Sequence, residues 1–425
     1  MAISYQMINE VLAKGTLIEA MPAKIAEEVV AANTFLLQGQ GEQPIWLEGF
    51  LESNRCKLVE TICRATSKAE GISSLSGYNE GYFNEIVQNA NDLQFGDEIW
   101  IEGRRIGSVC QWKCRYKDRG FELSNLYAFL NREMSDKSME DGQTGKFGVG
   151  IKSFFKFVHL LQIESNVRLE FSIQNKLDEV TGKVSINSSW DYKTTELSFE
   201  YDTRNKSEFN TKKLTDLLDY LCGNTLLDVK KCFVTGKDSE IVFDLCSLIF
   251  MKGKGKKENT SISKIVFQGS CHQIEISCRN KLKEQKVQIE KEIWLIKNVE
   301  LEILLDKESI YQREYLIFSK GMISFGFPVE AELEEYNRFY STYYLKTDRK
   351  QQILPISMLI DTKFSNIHRT DIGENEEQIQ RVYQLIKEEM QNLYRCMCSK
   401  QISNQQGIEK VSDIFYSLLA RYLSI

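Results

Sequence analysis

The spacing of hydrophobic residues divides the chain into helical and strand-like regions. In residues 1–75, hydrophobic residues recur at helical intervals, as in Leu17, Met21, Ile25 and Val29, which predicts a mostly helical region. A further helix is predicted over about 80–93. Alternating polar and apolar residues then predict strands at 98–102, 109–116, 160–165, 167–174, 183–188 and 196–201. Helical spacing returns at 210–221. This order predicts an α+β fold, an α/β sandwich with helices on a mixed, mostly antiparallel sheet.

A second α/β region is predicted from about residue 223. Its predicted strands lie near 241–245, 264–268, 274–277 and 299–305, and helices follow at about 374–397 and 409–423. The expected domains are a helical extension at 1–75, the sandwich at 76–222, a second α/β domain at 223–400 and a C-terminal helix at 401–425.

Composition narrows the class of protein. The 425 residues are 42% hydrophobic, which is enough for two or three domains with cores of their own. A net charge of −6 argues against a general nucleic-acid coat, so nucleic-acid binding is possible but not indicated. No signal-like N-terminus and no apolar run of about 18 residues occurs, and the eleven cysteines form no CxxC pair. We therefore expect a cytoplasmic protein without a membrane segment or a zinc site.

Three polar residues fall on one stripe of the predicted helix at 80–93. Each helical residue advances about 100°, so Glu85, Asn89 and Asp92 lie within about 60° of one another. An amide oxygen suits Mg²⁺, which keeps few protein ligands, and a carboxylate one turn earlier could activate a water molecule. A solvated helix face would explain this stripe equally well on its own.

A glycine-rich loop follows some fifty residues later. Residues 142–150 contain four glycines, which permit close approach of a phosphate, and the helix predicted next would point its N-terminal amides at that phosphate. The spacing fits neither a Walker A loop nor a dinucleotide fingerprint. A plain turn is the alternative interpretation.

A third short motif closes the strand at 109–116. Asp118 could accept a hydrogen bond from the exocyclic amine of adenine, with Gly120 leaving room for the base. The same residues are common in simple turns.

Taken together, these motifs resemble those of the GHKL (Bergerat-fold) ATPases over about residues 76–222. Glu85-Ile-Val-Gln-Asn89-Ala-Asn-Asp92 resembles the N box, Asp118-Arg-Gly120 the first glycine box and Gly145-Lys-Phe-Gly148-Val-Gly150 the second. The second glycine box is most similar to the heat-shock chaperone, MORC and sacsin branches.

The resemblance implies a role for each matched residue. Glu85 would be the general base, Asn89 the Mg²⁺ ligand, Asp92 a pocket residue and Asp118 the adenine ligand, with residues 121–144 as the ATP lid. Thr195 matches a pocket threonine at the start of a late strand. The second glycine box would hold the phosphates through Gly145, Lys146, Phe147, Gly148, Val149 and Gly150. One departure is Glu122, which stands where the first glycine box has its second glycine.

Several cations are candidates for the phosphates. Lys152, beside the glycine loop, is a possible catalytic lysine, and a solvated lysine is the alternative. Members with a second, transducer-like domain send a cation from it to the γ-phosphate, and Lys346, Lys350 and Arg369 all remain candidates.

The function implied is a slow, Mg²⁺-dependent ATPase that acts as a conformational switch, with ATP and Mg²⁺ as cofactors. A homodimer or a protein partner is expected, and the family context suggests an effector in a bacterial stress or anti-phage defence system. The alternatives are an ATP-sensing scaffold with little hydrolysis and a chaperone-like remodeller of a protein client. A histidine kinase is disfavoured because no histidine precedes His159, and length and acidity argue against mismatch-repair and topoisomerase roles.

Overall fold

The computed structural model describes most of the first two thirds of the chain. The described residues are 3–67, 83–93, 95–131, 151–174, 179–191, 193–204, 211–233, 242–243, 245, 248–250, 262–281, 285–289, 292–321, 323–329, 338–341, 359–362 and single helical positions between 377 and 392. The chain forms two compact units. The first holds residues 1–232, 236–243 and 265–273, and the second holds 233–235, 244–264 and 274–425.

In the described part of the chain, the first unit contains seven neighbouring sheet strands. Its strands are β1 (Glu98–Ile106), β2 (Val109–Lys117), β3 (Leu160–Glu164), β4 (Val167–Gln174), β5 (Glu179–Ile186), β6 (Thr194–Asp202) and β7 (Lys264–Gln268). The order across the sheet is β7-β1-β2-β6-β3-β4-β5. From β1 to β5 every neighbouring pair is antiparallel. The predicted α+β class is thereby confirmed.

Helices cover one face of this sheet because its strands alternate between buried and partly exposed residues. The helices of the unit are α1 (Tyr5–Ala13), α2 (Ala23–Gln38), α3 (Leu47–Ser67), α4 (Asn84–Leu93), α5 (Leu123–Leu130), α6 (Lys212–Leu221) and α7 (Lys230–Phe233). Phe83, immediately before α4, places its ring 5.2 Å from those of Trp112 and Phe267. Leu218 of α6 packs against Gly103 of β1, where a Cβ atom would come within 2.5 Å of it.

Edge strand β5 is covered by α3. The Arg55 guanidinium donates to the carbonyl of Gly182 at 2.9 Å, and Val59 packs against the same glycine. Covering an edge in this way occupies backbone groups that would otherwise be open to another strand. The first three helices are therefore part of the first unit.

The second unit contains a long antiparallel hairpin with short strands beside it. Its strands are β8 (Gln273–Asn280), β9 (Gln285–Ile289), β10 (Glu292–Leu305), β11 (Glu308–Lys320), β12 (Ile323–Pro328), β13 (Arg338–Ser341) and β14 (Leu359–Thr362). They lie in the order β13-β14-β12-β11-β10-β8, and β9 also pairs with β10. The β13–β14 pair is parallel.

Two predicted elements differ in the structure. The strand predicted at 241–245 is absent from the described residues of that stretch, where Val242 and Phe243 form a bend. The helix predicted after the glycine loop is a six-residue 3₁₀ segment, Ile151–Lys156. Phe154 and Phe155 within the segment and Phe157 just after it are buried, and β3 begins at Leu160. Among the described residues, no helix has the length and hydropathy needed to cross a bilayer.

Candidate functional site

Asp118 lies where β2 ends, beside the start of β6. Tyr116 pairs with Thr195 in the β2–β6 ladder, and the Asp118 N–H donates to the Lys193 carbonyl at 2.9 Å. Two predicted site residues, 77 positions apart in sequence, are thus adjacent because their strands are neighbours.

A chain of buried polar side chains begins at Asp118. Thr195 Oγ1 donates to Asp118 Oδ2 at 3.0 Å and lies 3.0 Å from Ser165 Oγ. The Gly120 N–H donates to Asp118 Oδ1 at 3.0 Å. Asp118 is 6% exposed, Thr195 1% and Ser165 0%. The sheet therefore holds a fixed carboxylate at its end, shielded from bulk water.

Burial and hydrogen bonding act in opposite directions on Asp118. Loss of solvation raises the pKa of the carboxyl group, while donation from Gly120, Thr195 and the Arg119 backbone lowers it; the net shift is upward. An ionised carboxylate can accept about four hydrogen bonds. The three donors therefore leave capacity for one more, such as a ligand amine.

Gly120 shapes the turn after Asp118. Its φ is +84°, in the left-handed region that favours glycine. A Cβ atom there would come within 2.8 Å of Asn166 Cγ and 2.9 Å of the Trp190 ring. The predicted role of Gly120, making room beside the aspartate, therefore has a steric basis in this turn.

The departure at Glu122 is explained by its backbone. Glu122 has φ −75° and ψ 164°, an extended conformation that does not require glycine, and it is the N-cap of α5. Its side chain accepts from the backbone of Asn125, and the Asn125 side chain accepts from the Glu122 N–H at 3.1 Å. This capping box begins a helix inside the segment predicted as the lid.

The predicted acidic stripe lies on α4, which is buried through Ile86, Val87 and Ala90. Glu85 is 6% exposed, so its carboxylate sits within the protein instead of on a solvated helix face. Asn89, one turn later, is half-buried. Asp92 belongs to the same helix, and its side chain lies outside the described residues.

Other predicted site residues lie wholly or partly outside the described residues. One such group is the second glycine box, with Gly145, Lys146, Phe147, Gly148, Val149 and Gly150. Another is the set of second-region cations Lys346, Lys350 and Arg369. Lys152 is described only by its backbone, within the 3₁₀ segment.

Sequence reasoning missed Ser165, Asn166 and Trp190. Ser165 and Asn166 connect β3 to β4 and are 0% and 2% exposed, whereas connections usually lie at the surface. The Trp190 indole donates to the Thr194 carbonyl at 2.6 Å, next to Thr195. The available signal was a polar Ser-Asn pair between two well-patterned strands.

A separate cavity of about 700 Å³ lies at the other end of β1. Arg104, Arg105 and Gln268 help to line it, and none of the predicted site residues does. Arg105 is paired with Asp219. We assign no ligand to this cavity.

Comparison with known proteins gives little beyond this geometry. No family model and no curated protein matches the chain. The ATPase region of Saccharomyces cerevisiae topoisomerase II is 11% identical, with 74% of this chain and 85% of that chain covered and a TM-score of 0.32. The ATPase and transducer domains of DNA topoisomerase II from Balamuthia mandrillaris are 11% identical, with 73% and 84% covered and a TM-score of 0.32. At such TM-scores this likeness carries no argument about fold or activity.

Proposed function

We propose that the chain is a GHKL-type protein that binds ATP with Mg²⁺ and hydrolyses it. The observation that carries the proposal is the Asp118 carboxylate, buried at the end of β2 and held by Thr195 and Gly120. The sequence predicts Asp118 as the adenine ligand, Gly120 as the residue that leaves room for the base and Thr195 as a pocket residue. Their hydrogen-bonded arrangement supports that role.

Recognition of adenine would use the remaining acceptor capacity of Asp118. A carboxylate accepts from the exocyclic amine of adenine and cannot donate to the corresponding oxygen of guanine. Thr195 fixes the orientation of the carboxylate, because its hydroxyl bonds Oδ2 while the Gly120 amide bonds Oδ1. The site should therefore prefer ATP to GTP.

Glu85 and Asn89 would act on the phosphate side. Asn89 offers an amide oxygen and Glu85 a carboxylate oxygen, which are the donor types that Mg²⁺ accepts. Mg²⁺, when bound, would neutralise charge on the phosphates. Glu85 would orient the attacking water and accept its proton, and burial restricts the carboxylate to few orientations.

We further propose that the nucleotide state is passed to a partner, either a second copy of the chain or an effector protein. The stress or anti-phage defence setting comes from the family resemblance alone. It adds no residue to the site.

The test is nucleotide binding by calorimetry together with Mg²⁺-dependent ATP hydrolysis. The parent should bind and hydrolyse ATP, Glu85→Gln should bind without turnover, and Asp118→Asn should bind roughly ten- to a hundredfold more weakly, as expected for a lost hydrogen bond to a charged group.

Each variant has a matched control elsewhere in the first unit. Asp191→Asn changes an exposed aspartate that accepts from the backbone of Lys193 and Thr194, and Glu170→Gln changes a glutamate bonded to Gln162 on the outer face of the sheet. Both controls should behave as the parent. Binding that survives Asp118→Asn unchanged would remove the adenine assignment. Turnover that survives Glu85→Gln would refute the general-base role of Glu85, whereas a parent that binds ATP without turnover would be an ATP-sensing scaffold.

A further inference from the structure

The N-terminal helices are hydrogen-bonded to the turn that carries Asp118. Asn33 on α2 accepts from the Leu123 N–H at 2.8 Å. The carbonyl of Leu36, also on α2, accepts from Asn166 Nδ2 at 3.0 Å. Leu123 lies five residues after Asp118, and Asn166 adjoins Ser165 of the buried polar chain. Both contacts end at groups that flank the proposed adenine ligand.

Asn166 holds the backbone of the turn from two sides. Its Oδ1 accepts from the Phe121 N–H at 2.8 Å, and its Nδ2 donates to the Phe121 carbonyl at 2.8 Å. The side chain is 2% exposed and lies against the position where Gly120 lacks a Cβ atom. The same amide group therefore contacts the turn and α2 together.

Asn33 completes the first turn of α5. The first amides of a helix have no partner within the helix and require an outside acceptor. The capping box of Glu122 and Asn125 serves the amide of Asn125, whereas the amide of Leu123 depends on Asn33, a residue 90 positions earlier in the chain. Without Asn33, the Leu123 amide at the start of α5 would lose this acceptor, which the capping box does not replace.

The other end of α5 is tied to the same helices. Asn131 Nδ2 donates to Asn54 Oδ1 at 3.1 Å, and Asn54 Nδ2 donates to Asn9 Oδ1 at 2.9 Å. Asn54 is 0% exposed. Residues of α1, α2 and α3 thus contact both ends of the helix that follows the Asp118 turn.

We infer that the N-terminal helical segment, residues 3–67, positions the adenine-binding turn. It does so through the bond from Leu123 to Asn33 and the bond from Asn166 to Leu36, so that contact between the segment and the turn controls nucleotide affinity. The inference rests on the proposed function and adds the regulation of the same site. Coupling between two sites is reciprocal. A partner that displaces the segment would therefore weaken ATP binding, and bound ATP would hold the segment in place.

The test compares Asn33→Ala with two controls on the same helix. Asn33→Asp keeps an oxygen acceptor for the Leu123 N–H. Thr34→Ala alters the next residue, whose hydroxyl donates to the Val30 carbonyl of its own helix. Hydrogen exchange of the Phe121 and Leu123 amides is measured without nucleotide, and ATP and GTP affinities are measured by calorimetry.

Asn33→Ala should speed hydrogen exchange of the Leu123 amide, since removing a helix cap loosens the first turn of α5. It should also weaken ATP binding about three- to tenfold and reduce the ratio of ATP affinity to GTP affinity. Both controls should match the parent. A preference that stays constant in Asn33→Ala, or an unchanged Leu123 exchange rate, overturns the inference while the proposed function stands. A parent that binds no nucleotide refutes the proposed function itself, and the inference with it.

Discussion

The substitution Gly120→Ala tests the packing of the proposed adenine-binding turn most directly. It adds one methyl group at a residue with φ +84°. The new Cβ atom would meet Asn166 Cγ and Oδ1 at 2.8 Å and the Trp190 ring at 2.9 Å. Neither neighbour can withdraw easily, because Asn166 is held by four hydrogen bonds and Trp190 by its bond to the Thr194 carbonyl.

The expected loss of stability has two parts. An alanine in the left-handed region costs about 1–2 kcal/mol. Overpacking a well-filled site costs a further ~1–3 kcal/mol. Gly15→Ala supplies the matched control, because Gly15 has φ +62° and no atom within 4 Å of its missing Cβ. The difference between the two variants should therefore be about 1–3 kcal/mol, which isolates the contact with Asn166 and Trp190.

Urea unfolding followed by tryptophan fluorescence gives both free energies of unfolding, and calorimetry gives ATP affinity. Gly120→Ala should lose more stability than Gly15→Ala and should bind ATP more weakly, since the turn and the Asp118 carboxylate move together. Equal losses of stability in the two variants would show that the methyl group meets no resistance. The packing assigned to this turn would then be wrong.

Three further predictions follow from buried polar and glycine positions. Asp118→Asn should be at least as stable as the parent at neutral pH. The pKa of Asp118 is higher in the folded than in the unfolded state, so ionisation of its carboxyl group lowers the free energy of unfolding above the folded-state pKa. That advantage should shrink in urea titrations as pH falls through the raised pKa. Asn54→Ala should destabilise the fold by about 1–3 kcal/mol in the same assay, since it removes an acceptor of the Asn131 amide and the donor to the buried Asn9 side chain. Gly182→Ala should cost ~1–3 kcal/mol in the same assay by overpacking against Val59.

Local patterning predicted most strands of the first unit. The alternation in Val167–Gln174 and the apolar run in Lys264–Gln268 gave the bounds that the structure has. A strand with one buried face, such as Thr194–Asp202, alternates buried and partly exposed residues with a period of two. The same reasoning predicted 241–245 as a strand, because a short apolar run alone does not distinguish a strand from a buried bend.

The largest element missed by the sequence is the hairpin partner β11. Its turn consists of Asp306 and Lys307, with φ 48° and 75°. A two-residue hairpin turn of type I′ needs positive φ at both positions, which Asn-Gly or Asp-Gly sequences usually signal. An aspartate and a lysine carry no such signal, so neither the turn nor the strand Glu308–Lys320 was predicted.

The candidate site was predictable only where its residues carry their own local signal. Asp118 ends a patterned strand, and Thr195 begins another. Asn166 and Asn33 matter through contacts with residues 45 and 90 positions away, which no local pattern encodes. Long-range hydrogen bonds of this kind become visible only when the strand order is known.

The cost of burying Asp118 favours a binding role for it over a structural one. Removal from water raises the pKa of its carboxyl group despite three hydrogen bonds, so the ionised group is held at a cost to the fold. An asparagine would satisfy the Gly120 amide equally well and would carry no charge to desolvate. A purely structural turn could use a neutral acceptor, whereas a ligand amine would gain a charged acceptor in a fixed position. If Asp118→Asn proves more stable than the parent and loses adenine recognition, the carboxylate at this residue lowers the stability of the fold and is required for binding.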